Sequence, residues 1–316
     1  MARPWRRLVG IGGLVLVAAM VLAASNSAAA PSRELAAQTG ATVVKTGVYL
    51  LNVGRLDTLS GSFTADFYLR FRCDVACDPS QFEFMNGRAT FLDKQYSDAQ
   101  EQLYRVQAAL TTNVDFSSYP FDRHRLLIAL EDKHLSHEDL VFQVDPESSG
   151  VDSHVIVSGW ELAGWDAGVT MHYYPTYGDT YSRYEFYVEI RRGVWAAVLK
   201  GLLPALVIVL GGFLGFLLGP ERSLQRLTVN TGALTGAILF HVNLTSQIPP
   251  AGSLTYVDKF MITNYLGLVG ALAASVALLI LSDRKREALA LKVHRVSGLV
   301  IPVVWALMQI GVATTL

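Results

Sequence analysis

Two hydrophobic rhythms divide the chain. From Ser62 to Arg72, the apolar residues Phe63, Ala65, Phe67, Leu69 and Phe71 alternate with Thr64, Asp66, Tyr68, Arg70 and Arg72, a period of two that predicts a half-buried strand. Tyr184, Phe186, Val188 and Ile190 repeat the pattern against Glu185, Tyr187 and Glu189. Shorter strand-like pieces lie at Val43–Val53, Leu103–Leu110, Arg125–Leu130, Leu140–Val144, Val155–Leu162 and Gly168–Tyr174. Asn86-Gly87, Pro146 to Gly150 and Tyr177 to Thr180 supply turn residues between them. Many short strands at this spacing predict an all-β sandwich over residues 31–192.

After Arg192 the rhythm changes. Apolar runs occupy about 194–218, 227–248, 261–282 and 297–314, each near the length needed to cross a hydrocarbon core of about 30 Å. The predicted fold is therefore α+β in two domains, a sandwich followed by a four-helix transmembrane bundle in residues 193–316. The second run differs from the others. It carries Thr228, Asn230, Thr231, Thr235, His241, Asn243, Thr245 and Ser246 without a formal charge. Polar groups in such a segment face a bundle interior or water. Read at helical spacing, one stripe runs Thr228, Thr231/Gly232, Thr235, Leu239, Val242, Ser246, a candidate pore lining.

Charge adds orientation. Residues 31–192 hold 14 Lys/Arg and 23 Asp/Glu, a net of −9, whereas residues 193–316 hold nine basic and four acidic residues, a net of +5. The basic connections at Arg222/Arg226 and at Arg284 to Arg295 are expected on the cytoplasmic side. The sandwich, the 249–260 connection and the C-terminus are then outside. Arg3, Arg6 and Arg7, an apolar run to Ala24 and the small residues Ser25 to Ala30 read as a signal peptide, residues 1–30, with a retained helix as the alternative. Cys73 and Cys77 are four residues apart in the exported part, and a disulfide and two free thiols both remain open. The scattered histidines of the sandwich, His124 among them, read as mostly surface or turn residues. No GxSxG, HExxH, GxGxxG or Walker pattern is present, so an enzyme is not expected. No cofactor or metal site is expected either. Nucleic-acid binding is excluded by the lack of a basic face on the sandwich.

Tyr119-Pro120-Phe121-Asp122, followed by Arg123-His124-Arg125 and a strand, resembles the loop between strands six and seven of pentameric ligand-gated ion channels. Further matches are Thr46 to Leu51, the Leu56-Asp57 turn, the spacing from Arg192 to Pro204, and Pro249 through Thr255 and Asp258. The chain is thus similar to a prokaryotic member of the Cys-loop receptor superfamily, whose bacterial members lack the loop cysteines. The resemblance implies an immunoglobulin-like sandwich, a homopentamer, agonist sites between neighbouring sandwiches, and five second helices around a pore for inorganic ions in a bacterial inner membrane, in contact with lipid. It places Thr228, Gly232, Thr235, Leu239, Val242 and Ser246 on the pore. Because Thr235 stands where the family often has a central leucine, the gate is expected at Leu239 and Val242. Coupling residues implied are Asp57, Pro120, Phe121, Asp122 and Arg192, with Pro249 and Tyr256 on the outer connection.

For the ligand, the resemblance brings Tyr173, Tyr174, Tyr177 and Tyr181 to the flexible outer loop and Glu131, Lys133 and His134 to another loop of the site. Aromatic faces and a carboxylate suit a small amine. The segment from Phe82 to Asp93 lacks the family's Trp-x-Pro feature, and Gly61 stands in place of its proton-responsive glutamate. Cation conduction is expected from the acidic sandwich. An anion channel of the same family and a non-conducting membrane-anchored sensor are the competing readings.

Overall fold

A computed structural model describes residues 40–250 and 252–315, so the expected leader at 1–30 lies outside the described residues. Among the described residues ten strands come first: β1 (Thr42–Val53), β2 (Ser62–Cys73), β3 (Phe82–Phe84), β4 (Gly87–Ser97), β5 (Glu101–Thr111), β6 (Arg123–Asp132), β7 (Leu140–Val144), β8 (Gly150–Val151), β9 (Glu161–Tyr174) and β10 (Asp179–Arg191). One sheet runs β4-β5-β2-β1-β7 with β8 beside β1, and the facing sheet runs β3-β6-β10-β9. The alternating residues of β2 and β10 meet between them. Phe67, Phe71, Tyr184 and Phe186 are wholly buried there. The Phe71 ring lies 5.4 Å from Phe82 and 6.2 Å from both Tyr104 and Phe142. Each such ring removed from water contributes about 2–3 kcal/mol to holding the sheets together.

Three local expectations are corrected. The strand expected over Val155–Leu162 does not form before Glu161, where β9 begins. Turns at Asp152–Val155 and Val157–Trp160, with Gly159 at φ +86°, break it, while Val155 and Val157 are buried as separate apolar plugs. Two apolar residues spaced by two mimicked a strand. Conversely, β4 was not expected, because its residues lie almost wholly exposed in the single chain and so carry no alternation. His124 is buried, since it sits on the inward phase of β6. Cys73 and Cys77, left open above, form a disulfide with a Cα–Cα distance of 6.3 Å, where both amides donate to the turn before β5.

Four helices follow: α1 (Val194–Leu217), α2 (Ser223–Thr245), α3 (Tyr256–Asp283) and α4 (Glu287–Ala313). Helix α1 includes a π-helical stretch, Ala197–Leu202. Helix α2 starts four residues earlier and ends three earlier than its apolar run. Helix α4 starts ten residues before its run, because Lys292 and Arg295 dilute the hydropathy of its amphipathic first three turns, which bury Ala290. Helices α1, α3 and α4 are long and apolar enough to cross a membrane. Polar contacts fix the packing of the bundle. Asn230 of α2 donates to Ser275 Oγ of α3 at 3.0 Å, and Asn264 Oδ1 of α3 accepts from Trp305 Nε1 at 2.9 Å and Gln309 Nε2 at 2.6 Å of α4. In an apolar surrounding such bonds set register, because a slip would strand the donors.

Candidate functional site

Helix α2 has two faces. Arg226, Asn230, Ala237 and Leu244 recur at helical spacing and are buried against α1, α3 and α4. The opposite stripe, Thr228, Gly232, Thr235, Leu239, Val242 and Ser246, is exposed at every position. Leu239 is 65% and Val242 62% exposed, so neither packs inside its own subunit. Thr228 Oγ1 donates to the Leu224 carbonyl at 3.1 Å and Thr231 Oγ1 to the Leu227 carbonyl at 2.8 Å. With its proton turned back to the helix, each hydroxyl presents lone pairs outward. His241, on the flank of α2, was not assigned a role from the sequence. Its Nε2 lies 2.9 Å from Asp258 Oδ1 and its Nδ1 2.9 Å from the Tyr265 hydroxyl. Asp258 also caps α3 through Thr255, so this contact ties the outer end of α2 to the start of α3. A histidine in an uncharged apolar run was the signal available.

The junction between the two halves is built around Asp122. The carboxylate is fully buried and accepts from Arg192 Nε at 2.7 Å and pairs with His124 Nε2 at 2.7 Å. The Arg192 guanidinium lies 4.4 Å from the Trp160 ring centroid and 5.1 Å from that of Tyr119, and His124 packs between Phe116 and Trp160. Burial raises the Tyr119 hydroxyl above its ordinary pKa. Sequence reasoning named Asp122 and Arg192 but missed His124, Trp160 and Tyr119. The two-residue step from Asp122 to His124 on one strand phase could have revealed the first. The Pro120 loop sits directly on the helices. The amides of Tyr256 and Val257 donate to the carbonyls of Ser117 and Tyr119 at 2.8 and 3.1 Å. Phe121 meets Tyr256 edge-on at 5.6 Å, and Pro120 lies against Gly201 of α1.

Asp57 does not join that ion pair. It accepts from Ser60 Oγ at 2.7 Å and the Leu59 amide at 3.0 Å, and these bonds, Ser60 first, hold its carboxyl below the ordinary carboxylate range. Its turn instead shares a cleft of about 660 Å³ with Trp160, Arg192, Ser246 and Gln247. Pro249 borders a second groove, about 940 Å³, between the outer end of α2 and the connection to α3.

At the far end of the sandwich, the β9–β10 hairpin brings three of the four tyrosines together. Tyr174 lies 5.7 Å from Tyr181 and 6.5 Å from Tyr177, with His172 at 4.5 Å. Tyr173 projects from the other phase of β9, and it and Tyr177 are 55% and 76% exposed. Glu131 is not presented to solvent. Its side chain is 3% exposed, accepts from Arg183 Nε at 2.6 Å and from the Tyr174 hydroxyl at 3.0 Å. Burial, then the hydrogen bond to Glu131, push the Tyr174 hydroxyl above its ordinary pKa. Arg183 was missed because only the pairing of β10 with β6 and β9 brings it beside Glu131. Lys133 and His134 are exposed on the turn after β6.

No family model matches the chain. It is similar to the proton-gated ion channel of Gloeobacter violaceus, 24% identical over 296 residues, which cover 85% of this chain and 82% of that protein. It is also similar to human 5-hydroxytryptamine receptor 3B, 26% identical over 189 residues, 57% of this chain and 42% of the receptor. The first alignment is long enough to include both the sandwich and the helices. The chain is thus similar to members of the Cys-loop receptor superfamily, the pentameric ligand-gated ion channels. It is a membrane protein and a ligand-gated channel rather than an enzyme. The Asp122 junction lies between the sandwich and the helices.

Proposed function

We propose that five copies of this chain close around an axis lined by α2 and conduct cations when a small ligand binds between neighbouring sandwiches. The observation that carries the reading is the exposed stripe of α2. A folded subunit that leaves Leu239 and Val242 uncovered beside a hydroxyl-rich lower half fits a helix turned toward a shared lumen. Leu239 and Val242 form the gate, an apolar constriction that closes by excluding water. Edge strands β4 and β9 are both exposed and chemically different. They favour head-to-tail contacts, which close into a ring.

Three features favour cations. Thr228 and Thr231 turn acceptor oxygens outward, Arg226 is buried away from the stripe, and five sandwiches of net −9 bring about −45 charges to the vestibule. Residues 31–192 form the external ligand-binding domain and 193–316 the channel domain, in a bacterial inner membrane after removal of 1–30. Ligand binding at Tyr173, Tyr174, Tyr177 and Tyr181 moves β10, and Arg192 and Asp122 pass that motion through Phe121 to Tyr256 and Pro249. Asp57 contributes from the facing side of the cleft. An amine would be held by the tyrosine faces, because Glu131 is already neutralised by Arg183. Lys133 and His134 border the site from the turn after β6.

Purified protein in a planar bilayer tests the reading. Unitary currents should reverse near the cation potential in a salt gradient, and Leu239→Ala and Val242→Ala should alter opening. A reversal that follows chloride would end the cation assignment. Silence across a broad ligand and pH screen would end the channel assignment.

A further inference from the structure

Arg226 occupies an unusual seat. It is the fourth residue of α2 and 0% exposed. Among the described residues no carboxylate pairs with it. Its Nη1 contacts His294 Nδ1 of α4 at 3.0 Å, its guanidinium lies 5.0 Å from the Phe216 ring centroid, and its Nε and Nη2 have no hydrogen-bond partner. Arginine only donates, so Nδ1 of His294 must be the acceptor and its proton must sit on Nε2. A buried guanidinium without a counter-charge is costly, and a long side chain can carry its charged head to nearby water. Water is one turn away, beside exposed Leu224, Gln225 and Thr228. One neutral acceptor and one aromatic ring therefore hold back five positive charges from the inner mouth of the pore.

We propose that His294 is a positioning residue for ion selectivity. It lines no pore, yet it keeps Arg226 out of the conduction path, so a residue of α4 sets which sign of charge the channel admits. The inference rests on the cation-channel reading above. Without His294, the guanidinium loses its hydrogen-bond acceptor and moves to the aqueous mouth. There a ring of five cations repels permeant cations and attracts chloride.

The test is the reversal potential of full-length channels in a salt gradient, for the wild type, His294→Ala, His294→Gln, Arg226→Gln and the Arg226→Gln/His294→Ala double variant. His294→Ala should lower the cation-to-chloride permeability ratio by about tenfold or more. His294→Gln, whose amide oxygen can accept the same bond, should stay close to the wild type. In the Arg226→Gln background, removing His294 should change nothing. An unchanged ratio in His294→Ala, or the same loss with Arg226 already gone, overturns the proposal. A wild type that follows chloride overturns the cation reading instead. Electron cryomicroscopy of His294→Ala in lipid nanodiscs then decides the position of Arg226 without reference to current. A guanidinium in the lumen supports the proposal, and one still against Phe216 overturns it.

Discussion

Asp122→Asn keeps the shape of the junction and removes its charge. Asp122 is wholly buried, whereas the Arg192 side chain is 26% exposed and His124 is 1% exposed. A fully buried pair broken on one side costs about 3–5 kcal/mol. An exposed pair is worth below about 1 kcal/mol. Water reaches part of Arg192 and can replace the lost carboxylate there, so the Asp122–Arg192 pair belongs between these limits, at about 2 kcal/mol, typical of a hydrogen bond to a charged group. That is about a 30-fold change in an equilibrium. The assay is a double-mutant cycle of Asp122→Asn and Arg192→Gln, followed by thermal unfolding of the purified oligomer and by open probability in single-channel records. The two substitutions should each destabilise and should couple by about 2 kcal/mol, with open probability falling in both singles. Additivity within about 0.5 kcal/mol would refute the claim that this pair joins sandwich to helices.

Other expectations follow from the same geometry. Glu131→Gln strands Arg183, and the purified protein should lose about 2–3 kcal/mol of unfolding free energy; if stability is kept and only ligand response falls, Glu131 faces the ligand after all. Asn264→Leu deprives Trp305 and Gln309 of their shared acceptor, which should cost about 1–2 kcal/mol and loosen α4, seen as faster proteolysis or hydrogen exchange there. Asp258→Asn weakens both the Thr255 cap of α3 and the His241 contact, with an expected loss of about 1–2 kcal/mol and altered opening, whereas Lys259→Ala, on the next and only partly buried residue, should change neither.

The strands most legible in the chain are those whose two faces differ. In β2 and β10 the alternation exists because one side meets a core and the other does not. Strand β4 escaped notice for the same reason, since neither of its faces is buried within one subunit. The exposed stripe of α2 could be read from spacing because residues left out of the subunit's own packing recur at the helical period. Arg183 beside Glu131, His124 beside Asp122 and His294 beside Arg226 are separated by 52, 2 and 68 positions, and the two long-range pairs leave no periodic trace.

The sequence by itself determined the division into sandwich and helices, the polar face of α2 and the residues of the Pro120 loop, because periodicity and hydropathy are local consequences of burial. Tertiary structure alone decided which charges are spent on one another. Glu131 was available to a ligand as a sequence position and is neutralised by Arg183 in the fold. Arg226 could have faced either way and is turned inward to His294. Partnership between charges depends on packing of distant elements, and no local pattern encodes it.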